Sequence, residues 1–139
     1  LRKVITCEND GEIEVWGDGF QTRSFLYIDD CVQSVFRLME SDFSGPVNIG
    51  SEERVTLNQL AEMAIELSGK DIRIKNLYGI DFLQKYGFPC PLGVKGRNSD
   101  NRLFEEKIGK VIHSPLKLGL QNTYHWIKDQ VLSLEGFQK

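Results

Sequence analysis

The chain has 139 residues, enough for one ordinary domain with its own core. Hydrophobic residues make up 40% and charged residues 27%, which excludes a disordered tail, a collagen-like repeat and a coiled coil. Seventeen basic against twenty acidic residues leave a net charge of -3, so no basic excess draws the chain to nucleic acid or an anionic membrane. The apolar runs fall far short of the ~18 residues of a spanning helix.

Leu1 rather than methionine opens the chain, which fits processing or a cut from a longer protein. The apolar stretch after Leu1-Arg2-Lys3 ends at Cys7-Glu8-Asn9-Asp10, too soon for a secretory leader. Cys7, Cys31 and Cys90 are scattered and odd in number, which fits a reducing, cytoplasmic setting better than a disulfide framework; one bridge with one cysteine left over is the alternative. His113 and His125 have no cysteine or carboxylate at ligand spacing, so no metal site is expected.

Residues 12–16 alternate polar and apolar, the pattern of a strand, and Gly17-Asp18-Gly19 ends it with turn chemistry. Residues 21–28 predict a second extended segment with Gln21, Arg23, Phe25 and Tyr27 on one face. Asp29-Asp30 predict a helix start with Asp30 as N-cap, and Val32, Val35, Phe36 and Met39 its buried stripe. Ser44-Gly45-Pro46 stops that helix, and Val47–Gly50 predicts a short strand. Thr56-Leu57-Asn58-Gln59 spells a capping box, and Gly69 a C-terminal stop. Residues 72–75 predict a strand. Residues 76–98 carry a poor pattern, with at most a helical turn over 80–86, and read as a functional loop. Ser99-Asp100 predict the start of a helix reaching about Gly109. After Pro115 the last helix carries Leu120, Tyr124, Ile127, Val131 and Leu134 on a single face. Alternating strands and helices predict an α/β layer arrangement without a division into two domains.

A dinucleotide site needs Gly-x-Gly-x-x-Gly between a strand and a helix. Gly17-Asp18-Gly19 lacks the third glycine and leads into a strand, so no cofactor-binding residue is assigned, and a P-loop is absent. Tyr124 and Lys128 have the Tyr-x-x-x-Lys spacing in which a cation lowers a phenol's pKa. Tyr124 lies on the apolar stripe, however, and reads as a core anchor. The acidic pairs Asp29-Asp30, Glu52-Glu53 and Glu105-Glu106 read as caps or solvated surface, because neighbours on a helix do not face each other. No catalytic residue is assigned. Arg23 lies among Phe25 and Tyr27, where a guanidinium can grip phosphate oxygens in two-point fashion. Arg97 follows Gly96 just before a helix start, which suits an anion. By the local sequence alone a solvated or salt-bridged surface arginine is the better account of each, and at Arg97 Asp100 can satisfy the helix end by itself.

Trp16-Gly17-Asp18-Gly19-Phe20-Gln21-Thr22-Arg23-Ser24-Phe25, then Tyr27-Ile28-Asp29-Asp30, resembles the late segment of nucleotide-sugar epimerases and dehydratases, which are extended short-chain dehydrogenases/reductases. Val47–Ser51 with Thr56-Leu57 and Leu60-Ala61, and Gly96–Asn101 with the last helix, resemble the family's next blocks. Trp16–Phe25, Val47–Ser51, Gly96–Asn101 and Tyr124–Lys128 are most similar in wording to the GDP-mannose 3,5-epimerase branch. The resemblance implies that residues 1–139 form a single C-terminal nucleotide-sugar-binding domain. That domain would be a fragment with a small partial sheet and about four helices, the substrate-binding part of the fold without its Rossmann half.

It further implies that Arg23 and Arg97 contact the diphosphate or nucleotide of the bound sugar. Gln21, Lys95 and Ser99 are further pocket candidates; Lys95 stands where the branch has arginine, and Gln21, like Asn48, reads as structural first. Tyr78–Pro91 looks like an insertion beside the sugar. The cofactor loop and the catalytic tyrosine and lysine lie upstream, so NAD belongs to the parent enzyme and not to this chain. Three readings follow: the inactive substrate half of an NAD-dependent epimerase, a standalone nucleotide-sugar-binding module, or a ligand-free assembly fragment that pairs through open sheet edges.

Overall fold

A computed structural model describes residues 1–110 and 112–136, and the side chains of all of these except 134–136. In chain order the elements are helix α1 (Arg2–Thr6), strands β1 (Gly11–Trp16) and β2 (Thr22–Ser24), helix α2 (Ile28–Met39), strand β3 (Arg54–Thr56), helix α3 (Leu57–Ser68), strand β4 (Ile72–Leu77), and helices α4 (Gly79–Tyr86), α5 (Arg102–Lys107) and α6 (Leu116–Gly136). The class is α/β. The described residues form six helices rather than about four, and two two-stranded sheets rather than one.

Strands β1 and β4 pair in parallel, from Gly11 opposite Ile72 to Trp16 opposite Leu77. A parallel pair needs a long crossover, and here α2 and α3 lie within it. Ile13 and Ile72 are buried with Val4 of α1, Ala64 of α3 and Tyr124 of α6 to form the core. Helix α1 is too short to stand by propensity alone, so its local sequence does not announce it. Lys70 holds it from afar: its ammonium donates to the carbonyls of Val4, Ile5 and Cys7 at 3.4, 2.7 and 2.6 Å.

The capping box of α3 is present in full. Gln59 N–H donates to the Thr56 hydroxyl at 3.1 Å, and Thr56 N–H donates to the Gln59 side chain at 2.9 Å. Gly69 closes the helix with φ 67°. On α6, Tyr124 and Val131 are buried and Leu120 and Ile127 half-buried, as the spacing predicts; the side chain of Leu134 lies outside the described residues.

Helix α2 departs most from its local pattern. The second extended segment ends at Ser24, and Tyr27, not Asp30, is the N-cap residue. Asp30 sits one turn inside, buried, where it accepts from the Ser114 N–H at 2.6 Å and the Ser114 hydroxyl at 3.0 Å. A partner 84 residues away outcompetes the local cap. The expected buried stripe faces solvent instead: Val32, Val35, Phe36 and Met39 are 44, 41, 58 and 73% exposed. Among the described residues nothing covers it.

Two further segments differ from expectation. Residues 47–50 are not a strand, having no sheet partner among the described residues; their polar groups bond to the 98–101 segment instead. Within 76–98 the chain builds the two-turn helix α4, because Phe82 is fully buried against Trp16, Tyr86 and Phe88, with ring centroids 5.1, 4.7 and 5.5 Å away. Tyr86 and Phe88 are local, but Trp16 comes from the end of β1, and no window around 79–86 contains it. Cys7, Cys31 and Cys90 are free thiols. No described helix is long and apolar enough to cross a membrane.

Glu14 of β1 ties α4 down, pairing with Lys85 and accepting from the Tyr86 hydroxyl at 2.7 Å. The hydrogen bonds from Lys85 and then Tyr86 hold its carboxyl below the ordinary 4.5. A lowered value means that folding favours the ionised form. The contribution is therefore complete above pH 4.5 and is lost as pH falls through the depressed value. Glu14→Gln is expected to lower the melting temperature at neutral pH and to flatten its fall in acid, followed by circular dichroism.

Candidate functional site

The turn at Gly17-Asp18-Gly19 sets the site's position. Gly17 and Gly19 have φ of 91° and 76°, a region that side chains disfavour. The space over Gly19 belongs to Asn58: a β-carbon there would lie 2.0 Å from its side-chain oxygen. Asn58 and Asn76 exchange amide hydrogen bonds of 3.3 and 3.0 Å, and Asn76 also donates to the Gly17 carbonyl at 3.3 Å. The turn is thus bolted to the start of α3 and the end of β4, and it delivers the chain into β2.

Strand β2 has neighbours on both edges. On one, Thr22–Ser24 pairs antiparallel with Arg54–Thr56. On the other, Thr22 N–H donates to the Lys95 carbonyl at 2.8 Å, and Arg97 N–H donates to the Thr22 carbonyl at 3.2 Å. Gly96 lies directly beside Thr22, where a β-carbon would come within 2.7 Å of the threonine hydroxyl. This pairing brings the backbones carrying Arg23, Lys95 and Arg97 side by side, although more than seventy positions separate Arg23 from Lys95.

The three cations differ in state. Arg23 is half-buried; its Nη1 donates to the carbonyls of Thr22 and Val94 at 2.7 and 2.9 Å. It faces no carboxylate partner among the described residues. Lys95 and Arg97 are exposed, and neither side chain makes a hydrogen bond or ion pair among the described residues. The arrangement can hold a multiply charged anion by charge and by guanidinium forks. Sequence reasoning passed over Thr22, Gly93 and Val94 because their contribution is made by backbone groups and close approach.

Gln21 and Ser99 have structural partners. The Gln21 carbonyl accepts from Leu57 N–H at 3.1 Å. The Ser99 hydroxyl donates to Asn101 at 2.7 Å, and Asn101, buried, donates to the Gly50 carbonyl at 2.8 Å. Helix α5 begins at Arg102, later than Ser99-Asp100 predict, and its start is already occupied. Asp100 accepts from Arg102 N–H at 3.2 Å and from its guanidinium, which holds the Asp100 carboxyl at about 2. The expected anion place beside Arg97 at this helix end is thereby filled from within. The acidic pair at 52–53 does cap, but on distant helices: Glu52 accepts from Asn101 N–H at 3.4 Å and Glu53 from Leu116 N–H at 3.0 Å.

No catalytic arrangement emerges at the other candidates. Tyr124 is 3% exposed and burial raises its phenol pKa, the wrong direction for a base. His125 is exposed. Ser51 lies 2.6 Å from His113 Nε2 but is 1% exposed, and its hydroxyl also accepts from Glu53 N–H. No group of residues suited to a metal ion occurs among the described residues. Beside α2 lies an apolar groove of about 710 Å³, lined by Phe25–Ile28, Leu116, Leu120 and Trp126 among others.

Comparison with known proteins decides the family. Residues 1–50, which include the glycine turn, β2 and the whole of α2, match the NAD dependent epimerase/dehydratase family. GDP-mannose 3,5-epimerase of Arabidopsis thaliana is 49% identical over 130 residues, 94% of this chain and 31% of that protein. The chain belongs to the NAD dependent epimerase/dehydratase family. Its fold matches UDP-N-acetylglucosamine 4-epimerase from Methanobrevibacter ruminantium M1, in complex with UDP-N-acetylmuramic acid. The TM-score is 0.72 at 25% identity, over 92% of this chain and 38% of that one. UDP-glucuronic acid 4-epimerase from Bacillus cereus, in complex with UDP-glucuronic acid and NAD, gives 0.68 at 26% identity over 86% and 36%. The chain thus spans about a third of the length of each. The turn at Gly17-Asp18-Gly19 does not fit a dinucleotide loop: it leads into a strand rather than a helix, and Asn58 occupies the space over Gly19.

Gly96→Ala is expected to cost about 1–3 kcal/mol by forcing loop 94–97 off β2. Thr22→Ala removes the opposing hydroxyl and should recover most of that loss, measured by urea denaturation of the single and double variants.

Proposed function

We propose that this chain is the nucleotide-sugar-binding, C-terminal part of an NAD-dependent epimerase of the GDP-mannose 3,5-epimerase kind, and that it does not turn over substrate alone. The parent would oxidise a sugar carbon transiently, epimerise beside the ketone, and reduce it back. Arg23 and Arg97 are the diphosphate contacts and Lys95 a third cation at the same edge. Gln21 and Ser99 hold the pocket's backbone in place. The observation that carries this reading is the pairing of β2 with loop 94–97, which sets side by side three cations without a carboxylate partner among the described residues. The 49% identity to a GDP-mannose 3,5-epimerase supports the branch.

The exposed stripe of α2 supports the view that another body covers this face, since contiguous apolar surface in contact with water is costly. A dinucleotide-binding half is the partner that the relatives' greater length supports. Titration calorimetry tests the reading. Arg23→Ala and Arg97→Ala should each weaken GDP-mannose binding by about tenfold or more, since a hydrogen bond to a charged group contributes about 1.5–3 kcal/mol. No binding by the unmutated chain, or stoichiometric NAD on it, would overturn the proposal.

A second reading rests on the same stripe: alone, the chain dimerises through α2 rather than through open sheet edges. Phe36→Glu combined with Met39→Glu should then turn a dimer into a monomer in sedimentation velocity. A monomer before substitution sinks this reading.

A further inference from the structure

We infer that Gly93 is a positioning residue for Arg23, leaving one nitrogen of its guanidinium fork open for the ligand while the Val94 carbonyl ties down the other; this rests on the reading of Arg23 as a phosphate contact. The geometry is asymmetric. Nη1 is committed to two carbonyls, Thr22 at 2.7 Å and Val94 at 2.9 Å. Nη2 has no acceptor among the described residues and lies 3.3 Å from where a β-carbon on residue 93 would stand. That distance is inside ordinary carbon–nitrogen contact of about 3.5 Å or more, so any side chain there must displace the fork by a few tenths of an ångström.

With Nη1 committed, Nη2 is the terminal nitrogen left to meet a phosphate oxygen, so that contact depends on where Nη2 stands. Binding groups must hold within about 0.5 Å of their working geometry, and a displacement of a few tenths of an ångström uses up much of that tolerance. The backbone at Gly93 has no positive φ, so glycine is not required there for conformational reasons. What the missing side chain provides is space beside Nη2. The frame around it is fixed at both ends: Leu92 packs over Gly17, and Gly96 packs against Thr22.

Alanine fits the backbone at 93, so Gly93→Ala is expected to keep the melting temperature within about 2 °C. It should weaken binding of GDP by about fivefold while leaving guanosine unchanged. In the Arg23→Ala background the same substitution should change GDP affinity by less than about twofold, because the group it displaces is gone. A role confined to loop stability would instead weaken GDP equally in both backgrounds, and that result overturns the inference. So does an unchanged GDP affinity in Gly93→Ala when the parent chain binds GDP, which leaves the reading of the site intact. If the parent chain binds no GDP, the reading of the site falls and the inference with it. One readout needs no ligand: the Arg23 guanidinium nitrogen–proton resonances should shift in Gly93→Ala, and unmoved resonances also overturn the inference.

Discussion

A β-carbon on residue 96 would stand 2.7 Å from the Thr22 hydroxyl, and because glycine has none, loop 94–97 can lie against β2 as a third extended segment. Thr22 N–H and carbonyl are both committed to that loop, which fixes where Lys95 and Arg97 stand relative to Arg23. Remove the close approach and the charged groups lose their common edge. The same device recurs nearby, where Gly19 yields to Asn58 and Gly50 to Ser99. Each is a point at which a neighbouring side chain lies too close to the glycine for a β-carbon, and together they give a loop-rich region definite geometry without a large sheet.

The two sheets are small, so side chains reaching to distant backbone carry much of the remaining organisation. Lys70 closes α1, Glu53 meets the start of α6, Asp30 holds Ser114, and Asn101 holds Gly50. Lys70, Asp30 and Asn101 are polar and at least partly buried. Leaving one unpartnered would cost about 1–3 kcal/mol, so the network selects one arrangement of the loops as much as it stabilises it. Cations meet at one edge, the one tyrosine with a catalytic spacing is buried in the core, and the glycine turn is filled by protein.

The stripe on α2 is the counterpart of that economy. Val32, Val35, Phe36 and Met39 have the spacing of a core helix, yet the core formed by α1, α3, α6 and the β1–β4 pair does not reach them. Periodicity reports that a face is to be buried; it does not report against what. In a chain that spans about a third of its relatives' length, the two questions separate.

Local sequence by itself determined the features whose energetics are local. The capping box at Thr56–Gln59, the stop at Gly69, the strand starting near Glu12 and the stripe of the last helix all depend on neighbours within four residues. The blocks Trp16–Phe25 and Gly96–Asn101 likewise marked the family and its cationic candidates. Tertiary structure alone decided the rest. Helix α4 exists because Phe82 finds Trp16, Asp30 leaves its cap because Ser114 arrives, and at the end of 47–50 the Gly50 carbonyl accepts from the Asn101 side chain rather than from a sheet partner. Arg23 becomes a half-tethered fork only through Val94, seventy-one residues on. Contacts at such separations depend on the closed path of the whole chain, and no window of local propensity contains them.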